Sequence, residues 1–184
     1  MEQRTKKITT SILFVTGLLA LLSSSACDDI DHLVKAGWNK PTNISPIYVM
    51  TSDLNERSLQ VVKEGVTKAQ EYLGNYGPLK VFIIGTDVQA ANVVAKEFCE
   101  WTYEGKRRIN ECFYEDQGIQ IRELAKYKSG SAYAETDGRQ LSVPTRAITI
   151  GNPPYDYPND IGGYKVAIHE YIHIYQHAHI SDED

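Results

Sequence analysis

Apolar positions divide this chain into a short N-terminal apolar run, a polar stretch, and a longer region from Ile47 in which strand and helix patterns alternate. "IYVMT" predicts a strand. Leu59, Val62, Val66, Ala69 and Leu73 then recur at helical spacing. Asp53 with Glu56 forms a capping-box variant ahead of that helix, and Gly74 marks its stop. "LKVFIIGTD" reads as a buried strand from its β-branched run. Asp87 stands where it can cap a second helix, "VQAANVVAKEFCEW". The region therefore opens β-α-β-α.

The pattern weakens after that. "TYEGKRRINECFYEDQG" predicts a loop or hairpin, and "IQIRELAKY" fits either a short helix or a strand. Asp137-Gly138 between two short alternating stretches is a hairpin signal. "RAITIG" predicts a further strand, and Pro153, Pro154 and Pro158 mark the loop after it. Asp160 is placed to cap a last helix, "IGGYKVAIHEYIHIYQHAH". The expected fold class is α+β, a mixed sheet backed by helices, spanning residues 47–184.

Composition adds two exclusions. A chain of 184 residues fits one globular domain with a tail. Its formal net charge of -5 argues against a nucleic-acid surface, which needs clustered Lys and Arg. The triplet Lys106, Arg107, Arg108 is too short to reverse that and reads as a solvated loop.

The N-terminus carries Arg4, Lys6 and Lys7, then "ITTSILFVTGLLALL", then the small residues of "SSSAC". This is the order of an export signal, over residues 1–26. The apolar run is shorter than the ~20 residues of a spanning helix. Cys27 follows Ser25 and Ala26, which resembles the lipobox of bacterial lipoproteins. The resemblance implies a lipidated Cys27 as mature N-terminus, a membrane attachment through that lipid, and an envelope location. Ser24 stands where the lipobox prefers Leu, so ordinary cleavage after Ala26 is the alternative. Residues 27–46 read as a tether, with Pro41 and Pro46 and no steady period. In an oxidising compartment the remaining Cys99 and Cys112 are expected to pair. Asn43 begins a glycosylation sequon in form only.

The candidate chemistry lies in the last helix. His169 and His173, four apart, share a helix face, and two imidazoles at that spacing can reach one ion. Glu170 between them lies about 100° round the helix, where it can take a proton from a metal-bound water. Val166, Ala167, Ile168, Tyr171, Ile172, Ile174 and Tyr175 surround these groups. That composition predicts a buried helix, and buried imidazoles and carboxylates need partners.

"HEYIHIYQ" resembles the active helix of zincin metallopeptidases, especially the gluzincin-type, peptidase MA-like proteins. The preceding order of strands and helices is similar to the zincin N-terminal subdomain. The resemblance implies a Zn2+ cofactor held by His169 and His173, Glu170 as general base, and hydrolysis of a peptide or protein substrate. It also makes Ala147, Ile148, Thr149 and Ile150 an edge strand along which an extended substrate aligns.

A catalytic zinc takes three protein ligands. Eleven residues follow His173, too few for a helix that returns Glu183 to the metal. His179 completes the spacing H-E-x-x-H-x-x-Q-x-x-H, similar to metzincins, but Gln176 stands where they have the turning Gly. On a continuous helix His179 lies about 9 Å along the axis from His173. His177 is expected to line the cleft or cap the helix end. The resemblance thus implies a chain truncated after the metal helix. Two functions follow as expectations: an exported, lipid-anchored zinc metallopeptidase, or a non-catalytic zincin-like lipoprotein that binds a peptide or partner protein.

Overall fold

A computed structural model describes residues 39–103, 105–126, 130–135, 145–151 and 162–179. The export signal, Cys27, the Asp137-Gly138 turn, the proline loop and Asp160 lie outside the described residues.

The elements in chain order are β1 (Ile47–Met50), α1 (Glu56–Leu73), β2 (Leu79–Ile84), α2 (Val88–Thr102), α3 (Lys106–Glu115) and α4 (Gln117–Glu123). A single 3-10 turn, Leu124–Lys126, precedes β3 (Gly130–Glu135), β4 (Thr145–Gly151) and α5 (Gly162–His179). The strands form one mixed sheet in the order β1-β2-β4-β3. β1, β2 and β4 are parallel, and β3 runs antiparallel to β4. The α+β expectation with a mixed sheet is met. Its buried HExxH metal helix is not, as described below.

Two apolar clusters cover the two sheet faces. Val62, Val66 and Ala69 of α1 and Ala167, Tyr171 and Ile174 of α5 pack on Val81, Ile83, Ile148 and Ile150. Ala91, Val94, Ala95 and Phe98 of α2, with Cys112 and Ile121, pack on Phe82, Ile84 and Ala147. Alternate residues of β2 and β4 therefore point to opposite cores, and both strands are apolar almost throughout.

That arrangement corrects one expectation. Ala147, Ile148, Thr149 and Ile150 do not form an edge. β4 lies between β2 and β3, and these four residues are buried. Among the described strands the two edges are β1 and β3. The unbroken apolar run of β4 reflects burial on both faces.

Capping also differs in detail. The cap of α1 is Asn55, whose Oδ1 accepts from Ser58 N at 3.1 Å. Asp53 instead ties the ends of β1 and β2 together, accepting from Thr86 N at 2.7 Å and Asp87 N at 3.0 Å. Asp87 caps α2 as expected, accepting from Gln89 N and Ala90 N. Gly74 ends α1 at φ 96°, a conformation that favours glycine.

The segment expected as a loop or hairpin is helix α3, and the Lys106–Arg108 triplet forms its first turn. Of "IQIRELAKY", residues 119–123 belong to helix α4 and Leu124–Lys126 is the 3-10 turn. Cys99 and Cys112 are joined in a disulfide that bridges α2 to α3.

Candidate functional site

α5 is set on the sheet by its small residues. A Cβ at Gly65 of α1 would lie 2.6 Å from Tyr164 O and 2.8 Å from Ala167 Cβ. The missing side chain thus lets α1 and α5 cross in close contact. A Cβ at Gly130, where β3 begins, would lie 2.7 Å from Val166 Cγ1 and 2.9 Å from Glu170 Cγ. This glycine lets α5 approach the margin of the sheet.

Gly163, Ala167, Glu170, Tyr171, Ile174 and Ala178 form the buried stripe of α5. Tyr171 is its polar anchor: its hydroxyl donates to Gly74 O at 2.8 Å and accepts from Tyr76 N at 3.0 Å. Glu170 faces inward and is 6 % exposed, whereas His169 is exposed and His173 half-buried. Burial pushes the Glu170 carboxyl above its ordinary range, and the nearby His169 and His173 oppose that rise.

His169 and His173 do meet on one helix face, with their Nε2 atoms 3.1 Å apart and their rings edge to face. His173 Nδ1 lies 2.8 Å from Gln176 Oε1. An amide oxygen only accepts, so this nitrogen carries the proton. The Nε2 atoms of His173 and His169 share a hydrogen bond, so Gln176, His173 and His169 form a chain of polar contacts along the outer face of α5.

His179 belongs to a different group. Its Nδ1 donates to Tyr175 O at 2.9 Å, and its Nε2 lies 3.3 Å from the Tyr76 hydroxyl. The His179 ring stacks on Tyr175, with centroids 4.3 Å apart, and meets Tyr76 edge-on. It closes the end of α5 onto the segment after α1.

These positions overturn the zinc reading. Among the described residues, no group of three or more His, Cys, Asp and Glu side chains could hold a metal ion. His169 and His173 form a mutually hydrogen-bonded pair, two donors where a catalytic zinc takes three protein ligands. Glu170 is turned into the core, and His179 is engaged elsewhere. The argument from a buried helix also fails, because the imidazoles lie toward solvent and need no ion to offset their desolvation. The zincin resemblance, the Zn2+ cofactor and the metallopeptidase activity are therefore not supported. The general-base role of Glu170 falls with them, since it required a metal-bound water.

Sequence reasoning missed two features of this region: the edge position of β3 and the exposure of His169. The short residues at Gly65, Ala167 and Gly130 were the available signals. Compared with protein-family models, curated proteins and solved structures, the chain matches none.

Proposed function

We propose that the chain is an exported binding module that takes an extended segment of a peptide or protein partner at the margin formed by β3. The observation that carries this reading is the strand order: β3 ends the sheet among the described strands, antiparallel to β4 and beside α5. A terminal strand offers main-chain donors and acceptors at regular spacing, which an added strand can complete. Val166 and Glu170 of α5 lie against its first residue, Gly130, so α5 flanks the start of this margin.

In this reading a lipid on Cys27 attaches the chain to the membrane at the cell envelope, and the chain joins the domain at Thr42 and Ile44, which hydrogen-bond to Asn75 and Gly77. Among the described residues, no helix is long and apolar enough to cross a membrane. The acidic net charge fits a protein or peptide partner better than nucleic acid.

The test is amide hydrogen exchange on the chain with a library of extended peptides. A bound peptide is expected to slow exchange in 130–135 at alternate residues, as strand addition requires. Protection confined to other elements would overturn the reading.

A further inference from the structure

The disulfide between Cys99 and Cys112 has two unlike ends. Both cysteines belong to the buried cluster under α2, and they differ in what lies outside them. Cys112 lines a surface hollow of about 380 Å³, and Cys99 does not. The other walls are Tyr103, Arg108, Glu111, Glu115 and Asp116. The Arg108 guanidinium lies 5.1 Å from the centre of the Tyr103 ring, and Glu111 accepts from Arg107 at 2.7 Å. Three carboxylates and one guanidinium thus border the hollow that Cys112 lines and Cys99 does not.

We propose that Cys112 is a thiol-exchange site, reached through this hollow by a small neutral or cationic thiol. In the exchange the incoming thiolate attacks Cys112 Sγ. A new S–S bond forms there as the Cys99–Cys112 bond breaks, and Cys99 leaves with the electron pair as a buried thiolate. A second thiol then displaces Cys112 and is released as the oxidised thiol dimer, leaving both cysteines reduced. The first step is reversible and slow. Burial disfavours the departing Cys99 thiolate, which re-forms the bridge when the small thiol is withdrawn. The bordering carboxylates repel an anionic thiol over a distance that salt screens.

The experiment exposes the folded chain, bridge intact, to cysteamine, quenches with acid, alkylates and maps both cysteines by mass spectrometry. The expected product carries cysteamine on Cys112 and the alkyl group on Cys99, in at least tenfold excess over the reverse. Mercaptoacetate, compared at equal thiolate concentration and low salt, is expected to react several-fold more slowly, with the gap closing as salt is added. Cysteamine on Cys99, equal labelling of both sulfurs, or equal rates with the two thiols at low salt would each overturn the proposal.

Discussion

Glu170 and Tyr171 are neighbours on α5 and both are buried, yet they affect the fold in opposite ways. Burial raises the Glu170 carboxyl, so the folded chain holds that proton to a higher pH than the unfolded chain. Where the unfolded state binds fewer protons, stability falls as pH rises. The destabilisation is absent below the ordinary carboxylate range and complete above the raised folded value. Glu170→Gln is therefore expected to raise the melting temperature at pH 7 by a few degrees, on a scale of roughly 1 kcal/mol. The gain should vanish in scans below about pH 4. Tyr171 contributes in the other direction, because its hydroxyl satisfies both Gly74 O and Tyr76 N. Tyr171→Phe leaves a buried N–H without its partner and is expected to cost about 1–3 kcal/mol in denaturant titration. At this scale the sequence was legible in type and spacing. His169 and His173 do share a face, as four-residue spacing requires, but spacing alone does not say whether that face meets core or solvent.

The elements were legible where one kind of signal dominated. β2 and β4 carry β-branched runs, and α1 and α2 have clear helical stripes and caps. Helix α3 was missed because its sequence is largely charged. Its inward stripe is only Ile109, Cys112 and Phe113, a helical i, i+3, i+4 set too short to stand out. The disulfide and the α2 core hold this weakly apolar helix in place. Replacing both Cys99 and Cys112 with Ala is expected to cost about 3 kcal/mol, read from chemical denaturation. Amide exchange should quicken in Lys106–Glu115 before it does in α1. The α1–α5 crossing depends instead on a missing side chain. Gly65→Val would drive its Cβ into Tyr164 O and Ala167 Cβ, and is expected to destabilise the domain by about 1–3 kcal/mol or more. Gly65→Ala should cost less than Gly65→Val in the same titration, as expected for a steric cause.

At the scale of the molecule, the sheet order decides what the surface offers. A proline scan through Gly130–Glu135 should separate two classes of position. Proline where the N–H points away from β4 is expected to leave the melting temperature nearly unchanged and abolish peptide binding. Proline where the N–H pairs with β4 is expected to lower the melting temperature itself. Loss of binding at neither class would argue against strand addition. Membrane attachment is tested separately: Cys27→Ala is expected to abolish incorporation of labelled fatty acid and release the chain from the membrane fraction. Fatty-acid labelling that survives this change would place the anchor elsewhere.

Local rules determined most of the elements, because β-branching, helical periodicity and side-chain caps act within a few residues. They also determined that two imidazoles would stand together on α5, and oxidising conditions with two remaining cysteines implied the bridge. Tertiary packing decided which strand became the edge and which way α5 turned. β4 is interior because β2 pairs on one side and β3 on the other, a choice made by residues far apart in sequence. α5 turns Ala167, Tyr171 and Ile174 inward because Gly65 and Gly130 leave room for close approach. That rotation carries Glu170 into the core and leaves His169 toward solvent. A motif that looks like a metal site along the sequence is, in the folded chain, a histidine pair beside a buried carboxyl, because each helix face takes its role from what packs against it.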